Sequence, residues 1–328
     1  MRIVLVVNPT ATKVNPTRLE IVATELRARH DITVVSTDRR DHATELARAA
    51  MGGGADCVAV LGGDGTLNEV VNALAGSDCA IAVLPGGSTN VFARTLGLPD
   101  DLRRAARATS DALASGWVHR IGLGSVNGRY FTFHTGVGFD AAIVERVEEH
   151  ARLKRRLGHL LFVYSGVRLF FSYDRRHPHF RVVVRRTGDV GEVMASADGP
   201  GTDGLDEDGY FTVVQNTDPY TFVGQRPFTV APAATLDRGL TITTVGAMSV
   251  RRFAPVIIDA LANRKGLRAT RTVTKHENVT AATITRIIAE PARSMPYQVD
   301  GDYLGEADEL EFAHHPEVLS IVLPLVPR

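Results

Sequence analysis

The stretch V-A-V-L-G-G-D-G-T-L-N-E-V-V-N-A-L-A, residues 58–75, decides how this chain is read. Val58 to Leu61 form a short run rich in β-branched residues, the mark of a buried strand. Gly62-Gly63-Asp64-Gly65-Thr66 then turn the chain, and Leu67, Val70, Val71 and Leu74 recur on one helical face. Thr66-Leu67-Asn68-Glu69 has the form of a capping box, so a helix is expected over Leu67–Ala75. Glycines between strand and helix let backbone approach an anion closely. The helix N-terminus adds unpaired N–H groups and the positive end of its dipole. Asp64 makes sense in such a place if it meets a cation riding on the anion, or a hydroxyl. A ligand-free turn is the plainer alternative, but it does not require this run of glycines around an acid. The chain has no G-x-x-x-x-G-K-[ST], so this is not a P-loop.

Outward from that stretch, the first third alternates between two patterns. Ile3–Val7, Ile32–Val35 and Ala80–Leu84 read as further strands. Helical patterns lie near Arg18–Arg29, Ala43–Ala50 and Asp101–Ser115. Such alternation implies a doubly wound parallel sheet, with ligands at the carboxyl ends of its strands. A second loop, Pro85-Gly86-Gly87-Ser88-Thr89-Asn90, follows Ala80–Leu84 and leads into Val91–Leu96, with Ser88 as the expected N-cap. Two neighbouring strand ends with glycine-rich, helix-opening loops suit a polyphosphate.

After Gly116 the texture changes. Ile121–Val126 and Tyr130–His134 flank Asn127-Gly128, a hairpin signal. Phe180–Arg185, Phe211–Val214, Thr241–Val245, Arg271–Lys275, Ala282–Ile288 and Glu317–Leu323 read as strands of a mostly antiparallel β-sandwich. One helical segment, Ala141–Tyr173, interrupts them, and Gly199–Gly209 reads as a loop. We therefore expect an α/β nucleotide-binding domain over 1–118 and a mostly β substrate domain over 119–328.

Composition sets limits. Lys plus Arg and Asp plus Glu both number 37, and this balance argues against a general nucleic-acid binder. Cys57 and Cys79 sit in apolar runs and read as core residues of a reduced, cytoplasmic protein. No window reaches the ~20 apolar residues of a membrane span, so contact with lipid would be peripheral, at the inner face of a membrane. Arg152–Arg176 mixes basic residues with Leu160, Phe162, Tyr164, Phe170 and Phe171. It reads either as a membrane-facing helix pair or as a core helix with a solvated basic end.

At these motifs the chain resembles the bacterial diacylglycerol kinase and lipid kinase family, relatives of the sphingosine kinases. Asn8-Pro9, Gly62 to Asn68, Pro85 to Arg94, Gly138-Phe139-Asp140-Ala141, Ala231-Pro232-Ala233-Ala234 with Gly239-Leu240, and Asp300-Gly301-Asp302 follow the family's motifs in order. The resemblance implies an NAD kinase-like first domain. ATP would contact Asn8, Thr37, Gly62, Gly63, Asp64, Gly65, Thr66, Leu67, Asn68, Gly87, Ser88 and Asn90, with Mg²⁺ on its phosphates. Asp302, Asp64 and Asp140 would serve catalysis, with Asp302 as base and Asp140 orienting a hydroxyl or head group. The implied partner is a lipid substrate at a membrane surface, and a homodimer is common among relatives. Diacylglycerol is the implied acceptor, giving phosphatidic acid.

Three departures stand out. Ser88 replaces a threonine, and Asp302 replaces the family's glutamate. Arg238 replaces an aspartate that binds a structural magnesium together with carbonyls matching Thr235 and Leu240; a guanidinium cannot ligate a cation, so no protein metal site is expected. The rival readings are an NAD kinase, which shares the first loop, and a nucleotide-binding regulator without catalysis.

Overall fold

The computed structural model describes residues 1–149, 177–186, 205–249, 266–288 and 295–324. The chain forms two compact units: Met1–Leu123 with Pro316–Arg328, and Gly124–His315.

The first unit is a parallel sheet of β1 (Arg2–Val7), β2 (Asp31–Ser36), β3 (Cys57–Gly62) and β4 (Ala80–Pro85) in the order β2-β1-β3-β4. Alternation decides what each face meets. Ile3, Leu5, Val7, Ala59, Leu61, Ala82 and Leu84 pack with Val22 and Leu26 of α1 (Pro16–Arg27) and Ala106 and Leu113 of α5 (Leu102–Ala114). The opposite face is covered by α2 (His42–Gly52) and α3 (Asp64–Leu74), and there Val6, Val58 and Val60 are buried. Asn15 and Asp101 cap α1 and α5 with their side chains, accepting from Arg18 N and Arg104 N. Because β1 lies between β2 and β3, the winding reverses at β1 and β3. That switch point opens a crevice at their carboxyl ends.

The second unit is antiparallel. β7 (His134–Gly138), β10 (Phe211–Gln215), β13 (Leu240–Val245) and β14 (Val273–Arg286) pair in that order. β15 (Pro296–Val299) pairs on the other side of β7 and carries β16 (Asp302–Glu306). β8 (Phe180–Arg186) pairs with β14 and with β9 (Leu205–Gly209). Phe131, Val137, Phe180, Val214, Ile242 and Phe312 belong to its main core. The N-terminal residues of α6 (Phe139–Glu149) are buried: Phe139, Asp140, Ala141 and Ala142.

Several expectations change. Arg271–Lys275 and Ala282–Ile288 are not separate strands but overlap the two ends of the 14-residue β14, which runs through the exposed polar residues Glu277 and Asn278, the latter at a positive φ of 57° where the pairing with β13 shifts register. Residues 205–209 are strand, not loop: the acidic run pairs with β8, where Arg181 meets Asp206 and Asp208 at 3.4 and 3.0 Å. The last strand, β17 (Glu309–Val322), starts earlier than expected. Its first half pairs with β14, while Ile321 pairs with Ile81 of β4, so the chain end joins the first unit. The helical reading of 141–173 is met as far as Glu149; its remainder, and the basic aromatic segment 152–176, lie outside the described residues.

The Asn127-Gly128 hairpin forms as read, with both φ values positive (47° and 79°) and Val126 opposite Arg129. A second turn of the same kind follows β15. Asp300 and Gly301 have φ of 50° and 84°, and Val299 faces Asp302 across them. Asp-Gly is as good a signal for this two-residue turn as Asn-Gly.

Candidate functional site

In the first unit, the switch point and the glycine loop coincide. Asn8 leaves β1, and its amide donates to the Leu61 carbonyl at 3.0 Å. Its side-chain amide donates to Thr66 Oγ1 at 2.9 Å, while its Oδ1 accepts from the amide and hydroxyl of Thr10. Thr37 leaves β2, with its amide on the Val7 carbonyl at 2.9 Å. Asn8, Thr37 and the loop from Gly62 thus stand at the carboxyl ends of three adjacent strands.

The helix begins earlier than the capping box suggests. α3 starts at Asp64 with Gly63 as its N-cap, so its cap position has no side chain to bond the first turn's amides. Thr66 lies inside that turn, and Leu67 and Asn68 are buried beyond it. Glu69, the expected partner of Thr66, instead accepts the Ala43 amide at 3.0 Å and thereby caps α2. The amides of Asp64, Gly65 and Thr66 have no carbonyl acceptor within their own helix, by helix geometry.

The second loop is packed against the first backbone to backbone. The Gly86 amide donates to the Gly62 carbonyl at 2.9 Å, and the Lys13 amide donates to the Gly86 carbonyl at 2.8 Å. A Cβ on Gly86 would lie 2.8 Å from the Gly62 nitrogen, and one on Gly87 would lie 2.7 Å from the Gly63 Cα. These glycines are explained first by the close approach of the two loops. Asn90, not Ser88, is the N-cap of α4 (Val91–Thr95). It has φ 52°, a conformation asparagine tolerates, and its side chain turns back to the Gly87 amide at 2.7 Å and carbonyl at 2.9 Å. Ser88 is exposed.

The cap of α4 comes from the other loop. Asp64 Oδ2 accepts the Val91 amide at 3.0 Å, and Oδ1 accepts the Phe92 amide at 3.2 Å. Asp64 is therefore a clamp between the loops, whatever else it touches. Gly62, Gly63, Asp64, Pro85 and Asn90 help line a cavity of ≈ 10 Å³ between them, room for about one water. A polyphosphate would lie against the loops rather than between them.

This packing supports a prediction. Gly87→Ala drives a methyl into the Gly63 backbone and is expected to weaken nucleotide binding at least ~10-fold, since misplacement of ~1 Å is costly. Titration of Gly87→Ala with ATP, beside its melting temperature, checks it. Wild-type ATP affinity in a folded Gly87→Ala would sink this account of the loops.

The second unit holds the other acids. Asp140 is buried at the start of α6. Tyr220 donates its hydroxyl to Oδ1 at 2.5 Å, and Gln298 donates its amide to Oδ2 at 2.9 Å. Burial pushes its carboxyl above the usual range, against the two donors. A Cβ on Gly136 would fall 1.7 Å from Oδ2, so glycine is required beneath this carboxylate. Asp300 is equally engaged. Its Oδ2 accepts the Thr132 amide and hydroxyl, both at 2.8 Å, and its Oδ1 accepts the amides of Phe133 at 2.9 Å and His134 at 3.2 Å. Asp302 follows as the partly exposed first residue of β16.

His134, Tyr220 and Gln298 carry no motif and escaped the sequence reading. The pairing of β15 with β7 sets Gln298 beside Asp140, while Tyr220 reaches it from a segment outside that sheet. His134 stacks on Tyr220 with ring centroids 4.1 Å apart, and neither of its ring nitrogens has a hydrogen-bond partner among the described residues. Burial pushes its pKa down to about 3. The sign follows: the unfolded imidazole, near 6.5, takes a proton that the folded one refuses, so stability is full above 6.5 and falls as pH drops toward 3. The slope is about 1.4 kcal/mol per pH unit in that window. Denaturant unfolding near pH 7 and near pH 5 should show this loss in the wild type and less of it in His134→Gln. Parallel losses would refute it.

The Thr235 carbonyl accepts the Arg238 amide at 3.1 Å. The Thr235 hydroxyl is the first cause holding the neighbouring Asp237 carboxyl below its usual range. With arginine at 238 this donor set does not fit an accessory cation. Cys57 and Cys79 are free and buried, and burial pushes both thiols up.

Residues 2–146 match the diacylglycerol kinase catalytic domain. It is 36% identical over 149 residues to a diacylglycerol kinase of Bacillus subtilis (strain 168), covering 44% of this chain and 47% of that one. It is 33% identical over 132 residues to one of Mycobacterium tuberculosis (strain ATCC 25618 / H37Rv), covering 38% and 41%. The matched stretch thus spans less than half the length of these relatives. A solved diacylglycerol kinase structure from Bacillus anthracis str. Sterne superposes with TM-score 0.67 at 18% identity over 99% of this chain and 97% of that one. A second structure from that organism gives 0.71 at 20%, with the same coverage. These two likenesses are of fold. Among the described residues no helix is long and apolar enough to cross a membrane.

Proposed function

We propose that this protein is an ATP-dependent lipid kinase that moves the γ-phosphate to a lipid hydroxyl, with diacylglycerol as acceptor and phosphatidic acid as product. The observation that carries the reading is the pair of interlocked glycine loops at the switch point, opening an α3 whose N-cap is a glycine. Phosphoryl transfer asks mainly for positioning and charge neutralisation. The amides of Gly63 to Thr66 and the Asn8–Thr66 pair would hold the phosphates. Magnesium would enter with the nucleotide, neutralising phosphate charge and needing few protein ligands. Asp302 would accept the proton of the attacking hydroxyl. The apolar acceptor would be met at a membrane surface.

The test is incubation of the protein with labelled ATP and Mg²⁺, first with a total lipid extract and then with NAD. Label in phosphatidic acid supports the reading. NADP formation, or ATP binding without any transfer, overturns it.

A further inference from the structure

The buried amide of Gln298 touches both ends of the second unit's acid cluster. Its side chain is completely buried. Nε2 donates to Asp140 Oδ2 at 2.9 Å, and Oε1 accepts the Gly301 amide at 2.8 Å. The amide orientation is thereby fixed, since an N–H acceptor is needed on one side and an N–H donor stands on the other. β15 carries a register shift between Tyr297 and Gln298, which re-aims the side chains on either side of it. Gly301 is the second residue of the tight turn that delivers Asp302, and its φ of 84° suits only glycine. The first turn residue, Asp300, is held separately by Thr132, Phe133 and His134. The turn is thus clamped at both of its central residues, one clamp leading back through Gln298 to Asp140 and Tyr220.

We infer that Gln298 is a positioning residue, a relay by which buried Asp140 sets the place of Asp302 in the phosphoryl transfer. This rests on the kinase reading above. Asp140 then acts through Gln298 and Tyr220, with both carboxylate oxygens already in use, rather than by binding the acceptor itself. The relay suits a chain with aspartate at 302, because a shorter acid tolerates less displacement of its turn.

The test exchanges the two polar partners. Gln298→Glu keeps the acceptor for the Gly301 amide but sets a carboxylate against Asp140. Adding Asp140→Asn restores a donor: the new amide can donate to the glutamate and still accept the Tyr220 hydroxyl, with both chain lengths unchanged. Steady-state lipid phosphorylation is measured for wild type, Gln298→Glu and the double variant, alongside KM for ATP and melting temperature. Gln298→Glu should lose kcat at least ~10-fold with KM for ATP unchanged, as expected of a displaced base. That loss should shrink at lower pH, where one carboxyl of the pair is protonated. The double variant should recover to within ~3-fold of wild type, the coupling of a contacting pair. An unchanged kcat in Gln298→Glu overturns the relay. So does a double variant that regains the wild-type melting temperature but not the rate, because Asp140 would then be needed as a carboxylate. A wild type that phosphorylates no lipid overturns the kinase reading and the relay with it, whereas either of the preceding results in an active enzyme overturns the relay alone.

Discussion

Asp302→Asn is expected to leave ATP binding at its wild-type level while cutting lipid phosphorylation by roughly 10²–10⁴-fold, the range a general base supplies. The substitution keeps shape and removes the proton acceptor. The turn before it is closed by other side chains, by Asp300 on the 132–134 backbone and by Gln298 on the Gly301 amide. Folding should therefore be nearly untouched, and isothermal titration with ATP beside a lipid phosphorylation assay separates the two effects. Aspartate is one methylene shorter than the family's glutamate, about 1.5 Å in reach on the scale of backbone bonds. Asp302→Glu consequently reports on the turn. A slower enzyme means the turn has been brought nearer its target, and a faster one means it has not. Wild-type turnover in Asp302→Asn would make Asp302 a strand residue with no part in the chemistry.

Asp64→Ala should reduce turnover at least ~10²-fold, about 2.7 kcal/mol of barrier, and should also lower the melting temperature. The sequence alone suggests catalysis without a stability effect. The structure adds one, because Asp64 accepts the Val91 and Phe92 amides and so caps α4 from the neighbouring loop. Losing a cap costs about 0.5–2 kcal/mol. Asp64→Asn retains one accepting oxygen and should recover part of the stability but little of the rate. Rate per folded molecule decides the matter. If it stays at the wild-type value in Asp64→Ala, Asp64 is a clamp between loops and nothing more.

The contrast between Asp64 and Thr66 shows where sequence reading succeeds and where it stops. Periodicity placed a helix over Leu67–Ala75, within a turn of the observed start, since Leu67, Val70, Val71 and Leu74 must share a buried face whatever surrounds them. The cap was misplaced because capping is a competition among acceptors. Glu69 found the Ala43 amide of α2, and a local four-residue motif cannot know of a donor 26 residues away. The glycines of the second loop are similar. Their presence was plain, but their reason lies in the backbone of the first loop, 2.7 Å from where a Gly87 Cβ would stand.

What the sequence by itself determined is the local and the periodic. It settled the four parallel strands and their helices, the hairpin at Asn127-Gly128, and the position of the glycine loops at strand ends. Each of these follows from side-chain period or backbone freedom within a few residues. What only the tertiary structure decided is which polar groups meet. His134 opens β7 and Asp140 stands just past its other end, Tyr220 and Gln298 come from two distant stretches, and none has a spacing that announces the others. Burial brings them together, because a carboxylate withdrawn from water must find donors. Here the antiparallel pairing of β7 with β15, and the fold around Tyr220, supply them.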